Sequence, residues 1–208
     1  MKNNAKVIAL CGADHVGKST QAKLLKTQLE RNSIRTKIVH IPTDWSLTLL
    51  LHWLMLKTGL AVTFPRVFQL NAFLNKLAFQ WFHLPYLRWR YDVIILDRWD
   101  LSSLVYGQAS GLSAMFLAYT YLPLRRADLT IILDGEIRRV NDPDSYEADE
   151  SFQRRVQEGY RKWFLACDHP NAIMISTNSS ALQICREITC HLASKFSDLP
   201  LNIHIIEG

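Results

Sequence analysis

Between an apolar run, Val7 to Cys11, and a helix-like segment beginning near Lys18 lies Gly12-Ala13-Asp14-His15-Val16-Gly17-Lys18-Ser19, which fits the pattern GxxxxGK(S/T). Strand, glycine-containing loop and helix in this register make a phosphate-binding loop. The glycines let backbone N–H groups wrap a polyphosphate, and Lys18 reaches its outer phosphates. Ser19 offers a hydroxyl to Mg²⁺ at a helix N-terminus that already favours anions. The expected ligand is a nucleoside triphosphate, contacted by Gly12, Ala13, Asp14, His15, Val16, Gly17, Lys18, Ser19 and Thr20. The motif names a donor and leaves the acceptor open.

The 208 residues suffice for one sizeable core, so a single domain spanning 1–208 is expected. Cys11, Cys167, Cys185 and Cys190 show no paired-ligand spacing. Buried, reduced thiols in a cytoplasmic protein are expected in preference to disulfides or zinc. A net charge of +5 suits phosphorylated ligands but is too diffuse to mark a nucleic-acid groove. The opening MKNNAK has no signal-peptide layout. The greasy stretch Trp45 to Phe64 is interrupted by His52, Lys57 and Gly59, and its charge-free block is short of the ~20 residues a bilayer needs. No membrane contact is expected. This stretch and a second apolar helix, Val67 to about Phe82, read as core or as the face of a homodimer.

Further on, Ile38 to Ile41, Val93 to Leu96, Leu129 to Leu133 and Ala172 to Ile175 are short Ile-, Val- and Leu-rich runs typical of strands buried on both faces. Helical patterns separate them: Ala22, Leu25, Leu29; Phe152, Val156, Tyr160, Trp163; Leu182, Cys185, Ile188, Leu192. The expected fold is α/β, a three-layer sandwich on a five-stranded parallel sheet, with the chemistry at the carboxyl ends of the strands. There Asp97 and Arg98 leave the third strand. Asp97 is suited to Mg²⁺, and the planar fork of Arg98 to a phosphate. Trp99 to Gln108 then supplies hydroxyls and an amide beside a second substrate.

GADHVGKSTQAKLL, LDRWDLSSLVYGQ and ADLTIILD, in that order, resemble the thymidylate kinases of the P-loop nucleoside monophosphate kinase group. The likeness covers most of residues 5 to 195. It implies a homodimer, a mobile lid at about 135–150, and transfer of the ATP γ-phosphoryl group to dTMP with Mg²⁺ as cofactor. Carried over residue by residue, it gives Asp14 the sugar 3′-hydroxyl, Lys18 and Ser19 the ATP–Mg²⁺, Arg98 the acceptor phosphate, and Asp97 a place beside the metal. Ser102, Ser103 and Tyr106 would line the acceptor together with Pro42, with Tyr106 at the 2′ edge. Phe73 would stack on the base and Lys76 would read it.

The sequence also departs from the family's pattern. The loop after the second strand, His40-Ile41-Pro42-Thr43-Asp44, lacks an arginine, and Lys76 or Leu77 stands near the place of the base-reading one. The lid is short and reads Asp144-Ser145-Tyr146-Glu147, while His15 occupies the loop position where some members carry a catalytic arginine. Arg138 and Arg139 remain as lid cations, with Arg154 and Arg155 as alternatives. Phosphoryl transfer relies on cations that neutralise the transferred oxygens, so these changes imply either rearranged arginines or a different acceptor. That acceptor would be another or modified deoxynucleotide or a nucleic-acid end. A weakly active nucleotide-binding regulatory module is the reading from a different class.

Overall fold

In a computed structural model the described residues are 5–40, 54, 57–58, 64–136, 150–166 and 170–201. The strands are β1 (Lys6–Cys11), β2 (Thr36–His40), β3 (Val93–Asp97), β4 (Leu129–Asp134) and β5 (Ala172–Ser176). They form one parallel sheet in the order β2-β3-β1-β4-β5. All residues of β3 are buried, as are all of β4 before Asp134, which is why their sequences are apolar without alternation. Leu10 and His40 both pair with Asp97, so the carboxyl ends of β1, β2 and β3 finish level.

The helices are α1 (Lys18–Arg31), α2 (Pro65–Ala78), α3 (Leu84–Arg90), α4 (Asp100–Ala109), α5 (Ala114–Tyr121), α6 (Glu150–Ala166) and α7 (Ala181–Lys195). α1 packs on α7 in one layer; α4 packs on α2, α5 and α6 in the other. Among the described residues Trp99, Tyr160 and Phe79 are the largest fully buried side chains. α7 starts with a reciprocal cap, in which Ser180 Oγ accepts from Gln183 N and Gln183 Oε1 accepts from Ser180 N.

The apolar helix expected to end near Phe82 runs further. A π-helical turn, Phe79–His83, joins α2 to α3, with Leu84 N donating to Phe79 O. Pro85 lacks an N–H, and the widened turn just before it lets the helix continue with proline in the first turn of α3. The helix expected over 45–64 lies almost entirely outside the described residues, as do residues 137–149 of the lid expected at about 135–150, Pro42 and Cys167. Among the described residues no helix is long and apolar enough to cross a membrane.

Candidate active site

The loop after β1 is shaped by backbone that side chains rarely adopt. Gly12 has φ +144°, and a Cβ there would stand 2.6 Å from Leu133 O and 3.0 Å from Val16 Cγ2. His15 sits at φ +62°, and Gly17, at φ +95°, is the N-cap of α1. Gly17 brings no side chain to cap the helix, and no acid stands in its first turn, so the N–H groups there are left for an anion. Ser19 and Thr20 are exposed at this end. Lys18 is buried and folds back over the loop. Its ammonium donates to Ala13 O at 2.5 Å and lies 3.4 Å from Asp14 Oδ1.

Asp14, 4% exposed, is the meeting point of the site. Its carboxylate is paired with Arg98 and accepts from Tyr106 OH and from Gln153 Nε2, each at 3.0 Å. Its backbone N–H donates to Gln153 Oε1 at 2.8 Å, so one amide side chain grips the residue twice. Arg98 holds φ +66°, and its guanidinium lies 4.6 Å over the Tyr106 ring. That ring in turn meets Phe152 edge-on at 5.9 Å. The structure thus brings Asp14, Lys18, Arg98 and Tyr106 together and adds Gln153, which sequence reading missed. The available signal was a polar residue within the buried set of α6, Phe152, Gln153, Val156 and Tyr160.

At the end of β3, Asp97 Oδ2 lies 2.9 Å from His40 Nδ1, while its Oδ1 is buried without a hydrogen-bond partner. A buried carboxylate oxygen in want of a partner, together with the exposed hydroxyl of Ser19, is the hard-oxygen donor type that suits Mg²⁺. Such an ion takes few protein ligands and completes its shell with phosphate and water.

Ser102 and Lys76 are turned away from the roles expected of them. Ser102 faces the core, donating to Cys11 Sγ at 3.6 Å and accepting from Tyr160 OH at 3.0 Å. Burial pushes the Cys11 thiol up to about 11 and raises Tyr160 as well. Lys76 is not free to read a base, because its ammonium donates to Trp99 O and Ser103 Oγ, both at 2.6 Å. Burial brings its pKa down to about 8, partly opposed by Asp100 and Cys11. Asp100 is itself raised by burial, against the pull of Lys76 and Arg126. Phe73 is half-buried on α2. Arg154 pairs with Glu150 on the exposed face of α6, and Arg155 bonds Ser151 and lies 5.6 Å over Phe152. Arg138, Arg139 and Pro42 lie outside the described residues.

A second feature had no sequence signal. A cavity of about 350 Å³ opens beside the start of α1, lined by Gly17, Thr20 and Gln21 and, across from them, Glu136, Asn178 and Ser179. Gln21 Nε2 donates to Ala181 O at 3.0 Å and ties α1 to the start of α7 beneath it. The cavity adjoins the phosphate loop on the side of β4 and β5, where there is room for the rest of a nucleotide whose phosphates sit in the loop.

Three comparisons bear on this geometry. The family model for thymidylate kinase matches residues 11–188. A probable thymidylate kinase of Thermococcus gammatolerans is 30% identical over 195 residues, covering 87% of this chain and 92% of its own. One of Pyrococcus abyssi is 31% identical over 166 residues, covering 74% and 80%. Among solved structures, thymidylate kinase from Candida albicans matches with a TM-score of 0.74 at 19% identity, over 92% of each chain, a likeness of fold.

Proposed function

Since the chain belongs to the thymidylate kinase family, we propose that it transfers the γ-phosphoryl group of ATP to dTMP, giving ADP and dTDP. The observation that carries this reading is the convergence on Asp14. The lysine of the donor loop and the arginine at the end of β3 reach the same carboxylate, so a donor phosphate on Lys18 and an acceptor phosphate on Arg98 would be neighbours. That is the arrangement direct transfer needs. An acceptor phosphate oxygen attacks the γ-phosphorus in line. The bond from that phosphorus to the β-bridging oxygen breaks, and its electron pair leaves with ADP. Lys18 and Arg98 neutralise the charge that spreads over the transferred oxygens. Mg²⁺, held by Ser19 and Asp97, would add further neutralisation of the phosphates.

Asp14 is assigned the sugar 3′-hydroxyl. Tyr106, whose own hydroxyl bonds Asp14, is assigned the 2′ edge, where it would refuse a ribose hydroxyl. Gln153 positions Asp14 from the far side. The reading places the enzyme in the cytoplasm, where free buried thiols such as Cys11 and Cys185 stay reduced. It also makes the enzyme a homodimer, for which Val67, Leu70 and Leu74 form an exposed apolar stripe along α2.

A coupled assay of ADP release against a panel of nucleoside monophosphates tests the function. dTMP should give the highest kcat/KM, and release with none of the panel would reject a monophosphate acceptor. The engagement of Lys76 with Trp99 and Ser103 favours a second reading, an acceptor with a different base. Faster turnover of another deoxynucleotide than of dTMP would select it.

A further inference from the structure

Lys76 is an ammonium taken almost wholly out of water, at 6% exposure, in the interior of α2. Desolvating such a charge is costly, and the two hydrogen bonds it makes do not lie on its own helix. Both go to the segment that carries Arg98, one to Trp99 O and one to Ser103 Oγ. Arg98 itself is a non-glycine residue at φ +66°, a conformation that persists only when its surroundings over-determine it. Three anchors do so: Arg98 N donates to Leu10 O at 3.1 Å, Trp99 Nε1 donates to Arg125 O at 2.7 Å, and Lys76 holds the carbonyl of Trp99. Of these, the lysine supplies the charged donor and links α2 to the turn.

We propose that Lys76 is a positioning residue of the acceptor side, an ammonium clamp from α2 that fixes the Arg98–Trp99 turn and thereby the aim of the Arg98 guanidinium. The inference rests on the kinase reading above. The groups facing the ammonium are the carboxyl of Asp100 and the hydroxyl of Ser103 from α4 and the thiol of Cys11 from β1, with Arg126 acting on Asp100. The thiol stays neutral well past pH 8, since burial holds it at about 11. Burial sets the ammonium to lose its proton near pH 8. Above that pH the clamp keeps its contacts but loses their charge assistance. Acceptor use should therefore weaken on the alkaline side while ATP use does not.

The test compares wild type, Lys76→Met and Lys76→Arg. Wild-type ADP release with dTMP is measured first, so failure of the kinase reading shows itself there, and the inference is judged on the differences between variants. In Lys76→Met, kcat/KM for the acceptor should fall at least about tenfold while the KM for ATP stays within about threefold. In wild type, kcat/KM for the acceptor should fall as pH rises through about 8. Lys76→Arg, which cannot lose its charge, should recover activity and lack that alkaline fall. Should either variant fail to fold, the wild-type profile still decides, because kcat/KM for the acceptor must fall through about pH 8 while the KM for ATP stays level. Equal losses toward both substrates in Lys76→Met, acceptor kinetics unchanged within about threefold, or an alkaline fall that survives in Lys76→Arg would each overturn the proposal.

Discussion

Replacing Gly12 and Gly17 in turn by alanine separates two kinds of loop glycine. Both occupy positive φ, at +144° and +95°, so each alanine carries backbone strain of about 1–3 kcal/mol. At Gly17 nothing lies within 4 Å of the added methyl, and strain is the whole cost. At Gly12 the methyl would stand 2.6 Å from Leu133 O, a backbone atom of β4, which is held between β1 and β5 and has nowhere to retreat. Forcing that shift adds about 1–3 kcal/mol, the usual cost of overpacking. Gly12→Ala should thus lose about 4 kcal/mol in all and Gly17→Ala about 2 kcal/mol. For a domain of this size the difference is a gap of about 4–8 °C in Tm. Urea unfolding followed by circular dichroism measures it, with unchanged m-values as the check on two-state behaviour. Gly12→Ala within about 1 kcal/mol of wild type, or no less stable than Gly17→Ala, would refute the steric argument.

Lys18→Ala should lower turnover at least ~10²-fold with the fold intact, and wild-type-like turnover would take the loop out of the mechanism. Arg98→Ala should weaken acceptor affinity strongly with ATP affinity little changed in a calorimetric titration; the reverse pattern would move Arg98 to the donor side. Gln153→Ala removes both of the amide's bonds to Asp14 and should cost about tenfold in kcat/KM for dTMP, a difference absent if Asp14 is fixed without it. Stability should show Lys76 as well. Its pKa falls from 10.5 to about 8 on folding, so the unfolded chain binds more protons between those values and stability rises with pH across that window, by up to about 3 kcal/mol. Lys76→Met should remove this rise, which unfolding at pH 7.5 and 10.5 would reveal.

The phosphate loop and the sheet were legible because their signals are local. GADHVGKS carries its conformation in its own glycines, and strands buried on both faces announce themselves as apolar runs. Asp97 and Arg98 were placed correctly at a strand end, since strand ends follow from the runs. What was not legible depends on contacts across the sequence. Gln153 meets Asp14 over 139 positions, and Lys76 reaches Trp99 and Ser103 over 23 and 27. A lysine amid apolar residues reads equally as a ligand reader or as a buried clamp until the third dimension decides. Ser102 and Ser103 are neighbours in sequence, yet one bonds Cys11 in the core and the other accepts from Lys76. Hydroxyl pairs on a helix point about 100° apart, so the motif could not assign both to the acceptor.

The Asp14 carboxylate also constrains how the two substrates affect each other. It is nearly buried and pairs with Arg98 and, more distantly, Lys18, the cations proposed for the acceptor and the donor phosphates. Each phosphate must therefore draw its cation away from Asp14, and a buried carboxylate stripped of partners is costly. If ATP takes Lys18 alone, Asp14 leans more on Arg98, and the acceptor phosphate meets a more tightly held arginine. If the acceptor brings a hydroxyl that donates to Asp14, it compensates the carboxylate at the moment it removes Arg98. Tyr106 OH and Gln153 Nε2 remain as donors throughout, which keeps the carboxylate from being orphaned during the exchange. On the proposed assignment, a sugar hydroxyl at Asp14 would act as more than a recognition contact. It would offset the release of the arginine proposed to face the acceptor phosphate, tying sugar identity to phosphate binding through one side chain.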